Sequence, residues 1–171
     1  MKLLKDSRGF TLIEMLVTVA IIGAIVVPMS MTINTMFKSL TVVHDVSIAS
    51  RQTQNAGYLI TNDIKSAKTV SNTTGGVFLR LQCYYWNGST MVDNQQVDYV
   101  YSSANKTLTR AVNGGTAMLI AEYITALTAN LINQAQPIEQ QYWQINITAT
   151  YPNAPPDSKI YSVKQRVPAA P

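Results

Sequence analysis

FTLIEMLVTVAIIGAIVVPMSMTINTMF, residues 10–37, carries a single charge, at Glu14, and then none for 23 residues until Lys38. As a helix rising about 1.5 Å per residue, the uncharged part spans ~35 Å, enough to cross a hydrocarbon core. Lys2, Lys5 and Arg8 precede it against Asp6 alone and supply half of the net charge of +4. The excess of cations before the apolar run puts the leader in the cytoplasm and everything after Lys38 outside. Nothing later in the sequence is long and apolar enough to cross again, so the topology is a single pass.

A secretory signal peptide accounts for this segment poorly. Such a peptide has an apolar region of roughly 7–15 residues and a small-x-small cleavage site. Here the run is too long, and Pro28-Met29-Ser30-Met31 offers no such site. A plain anchor does not explain Glu14 either. A carboxylate inside a membrane helix costs about 2.5–3.5 kcal/mol, and the 23 residues that follow hold no cation. Cleavage after Gly9 would create one, the α-amine of Phe10, about one turn away.

The run Gly9-Phe10-Thr11-Leu12-Ile13-Glu14-Met15-Leu16-Val17 behind a basic leader resembles the prepilin motif. It is the motif of type IV pilins and of the pseudopilins of type II secretion and competence systems. The resemblance implies cleavage by a prepilin peptidase between Gly9 and Phe10, and N-methylation of Phe10. It also implies pairing of Glu14 with the terminal amine of a neighbouring subunit during assembly. A buried carboxylate is costly until an opposite charge meets it, so Glu14 disfavours lone subunits. The implied partners are the peptidase, other major and minor subunits, an inner-membrane assembly platform, and lipid before assembly. The implied location is the cytoplasmic membrane, then a periplasmic or cell-surface filament. Pro28 removes a helical hydrogen bond and crowds the preceding turn, which predicts a kink or local unwinding there.

From Ile33 one helical stripe recurs at three/four spacing through Met36, Leu40, Val43, Val46, Ala49, Thr53, Ala56, Ile60, Ile64 and Ala67. Lys38, Asp45, Arg51, Gln54, Asn62 and Lys65 lie off that stripe. Gly57 weakens the helix by up to about 1 kcal/mol relative to alanine. The expected organisation is a leader at 1–9, a membrane half-helix at 10–37, an amphipathic half at 38–70 and a sheet domain at 77–171. From Val77 the period changes to two. Val77–Trp86, Val97–Tyr101 with a hairpin to Thr107–Arg110, and Trp143–Tyr151 read as strands. Met118–Leu131 is ambiguous, and Ile160–Val167 is a possible final strand. A long helix on an antiparallel sheet, an α+β fold, follows.

Leu59–Ala67, the aromatic strand and Thr107-Leu108-Thr109-Arg110 are similar to the larger minor subunits, the J-type pseudopilins and PilW-like minor pilins. A paired-cysteine loop found in many major pilins is missing, which argues against the role of main structural subunit.

The 171 residues are enough for one modest domain. One Cys and one His exclude an intramolecular disulfide and a structural zinc site. Charged residues make up 13%, about half the usual share, and the scattered basic excess gives no nucleic-acid footprint. His44 beside Asp45 lacks an oriented partner and reads as a solvated helix residue. Cys83 reads as a buried small hydrophobe. Asp93, Asn94 and Asp98 lack the spacing and bidentate acid of a calcium loop. Tyr84-Tyr85-Trp86 reads as cross-strand packing. Asn72, Asn87, Asn105 and Asn146 each open an Asn-x-Ser/Thr triplet, a pattern frequent by chance in such a sequence. Neither catalysis, a cofactor nor a metal is expected. The competing reading is a permanently anchored extracytoplasmic binding module or adhesin, which needs neither Gly9 nor Glu14.

Overall fold

The uncharged run and the amphipathic stretch after it become one helix, α1 (Leu12–Ser66). The computed structural model describes residues 9–73, 77–86, 88–89, 91–136 and 140–166, with backbone alone at 85, 86 and 91–94. Among the described residues α1 is followed by β1 (Ala67–Asn72), β2 (Val77–Trp86), β3 (Met91–Ser102) and β4 (Thr107–Val112). Then come β5 (Met118–Ala121), β6 (Ile124–Ile132), β7 (Tyr142–Ala149) and β8 (Asp157–Val163). The chain divides into two compact units, residues up to Thr41 and residues from Val42 onward.

In the first unit every side chain from Leu12 to Thr41 is exposed, whatever its polarity. So extensive an exposed apolar surface calls for a medium other than water, and the helix is long and apolar enough to cross a membrane. Most of its hydroxyls are satisfied within the helix. Thr18 donates to the Met15 carbonyl, Ser30 to Val26, Thr32 to Pro28 and Thr35 to Met31, each at 2.9 Å. Such back-bonding makes Ser and Thr compatible with lipid, where an unpaired polar group is costly. The helix is continuous through Pro28.

In the second unit α1 carries one face into a core. Ala49, Ala56, Ile60 and Ile64 pack with Leu79, Leu81, Val97, Tyr99 and Leu108 of a five-stranded sheet. Ile124, Ile145, Ile147 and Ala149 come from a second, three-stranded sheet. Both sheets are antiparallel, in the orders β1-β2-β3-β4-β5 and β6-β7-β8. The expected hairpin forms as β3–β4, closing with Ser102 opposite Thr107. The cleanest alternation, Trp143–Ala149, becomes the central strand of the smaller sheet.

Several boundaries differ from those the periodicity suggests. The helix stops at Ser66 rather than near Val70, because the following residues are claimed by a sheet edge. Ala67 to Asn72 pair with β2, from Ala67 opposite Cys83 to Asn72 opposite Leu79, and β-branched Thr69 and Val70 suit a strand. Ser66 Oγ closes the helix by donating to the Asn62 and Asp63 carbonyls at 3.3 and 3.0 Å. The helix therefore ends before 70, and its residues from Val42 onward belong to the same compact unit as the sheets. The strands divide between the two sheets at the bend Glu122-Tyr123, where Tyr123 holds φ +60°. The final strand begins three residues earlier than expected, at Asp157. On the helix, Val43 and Val46 are exposed and Asp45 is buried, at 4% exposure, the reverse of the expected stripe. Asn153 Nδ2 donates to Asp45 Oδ2 at 3.0 Å, which partly offsets the desolvation of the carboxylate.

Polar bonds then fix the helix to both sheets. Asn55 Nδ2 donates to the Ile120 carbonyl at 2.6 Å and Gln52 Oε1 accepts the Glu122 N–H at 3.0 Å. These two amides occupy hydrogen-bonding positions along the outer edge of β5 that another strand would otherwise use. At the smaller sheet, Thr53 donates to Asp157 at 2.6 Å and Lys159 to Ser50 at 2.7 Å.

Candidate processing and assembly site

Gly9 and Phe10 precede the helix and are exposed, Phe10 by 78%. A Cβ built on Gly9 meets nothing within 4 Å, so packing does not demand glycine here. Leu12 is the first helical residue, which makes Thr11 the N-cap and Glu14 the third helical position. The two side chains close a reciprocal capping box. Thr11 Oγ1 accepts the Glu14 N–H at 3.3 Å, and Glu14 Oε2 accepts both the Thr11 N–H and the Thr11 hydroxyl at 3.0 Å. The first helical bond follows, from Met15 N–H to the Thr11 carbonyl at 3.2 Å. The box satisfies two backbone donors at the exposed helix start, and the carboxylate also complements the positive end of the helix dipole.

Thr11-x-x-Glu14 directly before an apolar run is a sequence-level capping signature. The role expected for Glu14 was that of a charge awaiting a partner; the box is an additional, intrachain role. Phe10, Ile13, Glu14, Val17 and Thr18 line a shallow, largely apolar hollow. Lys2, Lys5 and Arg8 of the leader lie outside the described residues.

The remaining candidates separate by environment. His44 is exposed, its side chain by 72%, with Nδ1 3.4 Å from Asp45 Oδ1. Its bonding places no nucleophile beside it. Cys83 is buried, Sγ 3.8 Å from the Asp63 carbonyl, and burial pushes its thiol pKa up. Asp98 does not face a loop. It accepts from Arg80 Nε and Nη2 at 2.7 and 3.1 Å and from Gln96 Nε2 at 2.7 Å. The bond from Arg80 holds its carboxyl below the ordinary range. The side chains of Asp93 and Asn94, and of Tyr85 and Trp86, lie outside the described residues. Tyr84 is partly exposed, with Lys68 Nζ 5.9 Å from its ring centre. Among the described residues no group of three His, Cys, Asp or Glu side chains could hold a metal ion.

One polar cluster has no counterpart in the sequence reading. Asp63, in the last turns of α1, accepts from Tyr99 Oη at 2.5 Å and from Arg110 Nε and Nη2 at 2.7 and 3.3 Å. Burial, and then the Asp63 carboxylate, push the Tyr99 phenol far above its usual value, so Tyr99 is a fixed donor. Three residues far apart in sequence become one staple joining helix, β3 and β4. No linear spacing announces it.

The comparisons with known proteins bear on the amino terminus. A family model described as the prokaryotic N-terminal methylation motif matches residues 4–30, which includes Gly9, Phe10, Glu14 and Pro28. No curated protein and no solved structure matches the chain. Residues 4–30 thus match a motif for methylation of an amino terminus, on an α+β chain of pilin-like architecture.

Proposed function

We propose that this chain is a minor pilin or pseudopilin, a structural subunit and not an enzyme. It is inserted in the membrane, cut by a prepilin peptidase between Gly9 and Phe10, N-methylated on Phe10, and drawn into a helical filament. The observation that carries the reading is the methylation-motif match at residues 4–30, on a helix whose apolar side chains from Leu12 to Thr41 are all exposed. Lipid covers that surface before assembly and neighbouring helices cover it afterwards. Glu14 docks on the Phe10 amine of a neighbour. To do so it exchanges bonds to Thr11 for a full opposite charge, a stronger interaction where water is excluded. The sheet unit faces outward. The absence of a second cysteine and the resemblance to J-type and PilW-like subunits support a minor role, in a tip or initiating complex of a pilus or a type II secretion-like pseudopilus.

Mass spectrometry of the amino terminus, on membrane and sheared-surface fractions, tests the processing. A terminus at methylated Phe10 is expected, and an intact Met1 or Lys2 terminus in every fraction overturns the reading in favour of an unprocessed anchor. Glu14→Leu tests the assembly. The variant should insert normally yet fail to co-assemble, whereas co-assembly at normal yield removes the docking step.

A further inference from the structure

Of the four Asn-x-Ser/Thr triplets, the fold makes two poor substrates for any modifying enzyme. Asn146 is in the middle of β7, paired with Thr128 on β6 and Ile160 on β8. Its Oδ1 accepts from Ser158 at 3.1 Å, and the next residue, Ile147, is fully buried. Presenting this triplet means extracting a central strand. Asn72 lies in β1 and its Nδ2 donates to the Ala129 carbonyl at 2.8 Å. Asn87 lies outside the described residues.

Asn105 is different. It lies on the exposed turn Ser103–Lys106 between β3 and β4. Its backbone N–H is held by Ser102 Oγ at 3.3 Å, while its side-chain amide makes no hydrogen bond to the described residues. The Thr107 hydroxyl is likewise without one, so both recognised groups of the triplet are available. Between them Lys106 holds φ +54°, a conformation that costs an L residue roughly 1–2 kcal/mol. Rebuilding the turn in an enzyme cleft therefore recovers part of what it costs. Among the described residues the triplet is tied to the rest of the fold by the Ile124 N–H on the Lys106 carbonyl at 2.9 Å and by Thr107, which opens β4 opposite Ser102.

We infer that Asn105 is an acceptor for N-linked glycosylation, receiving an oligosaccharide from a lipid-pyrophosphate donor on the outer side of the membrane. The step forms a bond between Asn105 Nδ2 and the anomeric carbon of the first sugar. The bond from that carbon to the pyrophosphate oxygen breaks, lipid pyrophosphate leaves, and Nδ2 gives up one proton. No oxidation is involved. A glycan here projects from a loop tip and disturbs neither sheet. The inference rests on residues beyond Lys38 being exported, as the processed-subunit reading requires.

The test reads both in one sample. Full-length protein is isolated from membranes of the cells that make it and digested with chymotrypsin, which leaves Ser102–Leu108 intact with its triplet. The expected result is a saccharide mass on that peptide, lost in Asn105→Gln and Thr107→Ala and kept in Thr107→Ser. A processed Phe10 terminus with an unmodified Asn105 overturns this inference and leaves the subunit reading standing. Saccharide on Asn72, Asn87 or Asn146 in place of Asn105 overturns it equally. An unprocessed terminus with unmodified Asn105 removes both.

Discussion

Gly57 stands mid-helix, where propensity alone says that alanine is better by up to about 1 kcal/mol. The structure reverses the sign. A Cβ at Gly57 would lie 2.1, 2.3 and 2.7 Å from Cζ, Cε2 and Cε1 of Tyr161 on β8. That ring crosses the helix backbone and its hydroxyl donates to the Thr53 carbonyl at 3.1 Å. Thr53 is the residue whose carbonyl the Gly57 N–H would bond in an α-helix, so ring, glycine and carbonyl form one contact. Gly57→Ala must displace the ring by more than an ångström. The displacement gives up the Tyr161 bond, a loss of about 1 kcal/mol, and overpacks a buried position at about 1–3 kcal/mol. Against a propensity gain of at most about 1 kcal/mol, the net is a destabilisation of about 1–3 kcal/mol.

A double-mutant cycle separates the two terms. In a Tyr161→Ala background the obstruction is gone, and Gly57→Ala should become stabilising by up to about 1 kcal/mol. The assay is urea unfolding of the full chain in a mild detergent, followed by near-ultraviolet circular dichroism. The reasoning fails if Gly57→Ala is neutral or stabilising with Tyr161 in place, or if its sign is the same in both backgrounds.

Three further outcomes follow from the same structure. Asp63→Ala leaves Arg110 and Tyr99 without their shared acceptor, and since both ions are about one-fifth exposed the loss should be on the order of 2–4 kcal/mol by urea unfolding. A change under 1 kcal/mol would mean the staple is ornamental. Asp98 has a depressed folded-state pKa, so its contribution is present above its unfolded value of about 4 and lost as pH falls through the folded one. Asp98→Asn should therefore flatten the acid limb of a stability-against-pH curve below about pH 4, and an unchanged limb would contradict this. Glu14→Gln keeps the capping box but removes the charge, so helix content should hold while co-assembly falls. Wild-type assembly by Glu14→Gln would assign Glu14 to capping alone.

The readable parts of this chain were those where one local rule acts without rivals. The uncharged run from Met15 to Phe37 can only be apolar helix, and Trp143–Ala149 alternates so strictly that its strand and its buried face follow together. The turn at Asn105-Lys106 had its own chemistry and duly closed a hairpin. Where tertiary partners decide, the reading failed. Ala67–Asn72 continues a helical pattern well enough, but β2 offers it a ladder. Tyr123 takes a left-handed conformation with no glycine to advertise it, held by the Thr150 N–H on its carbonyl and by the edge of the Tyr151 ring. Asp45 is polar by type and buried in fact, because Asn153 arrives from 108 residues away.

The amino-terminal site shows a different kind of partial legibility. Thr11 and Glu14 are three residues apart, and their box could be read directly, yet a lone carboxylate at the head of a membrane helix draws attention to charge first. The observed capping and the proposed docking are compatible because the proposal assigns them to different states. In an isolated subunit Thr11 supplies the hydrogen bonds that keep Glu14 from being wholly unpartnered, which lowers the cost of holding the monomer in lipid. Those bonds are weaker than a bond to a cation in the same medium. Under the proposed assembly, a capped subunit therefore still gains by meeting an amine. A glutamate at this position, rather than a residue that only caps or only carries charge, satisfies both requirements with one side chain.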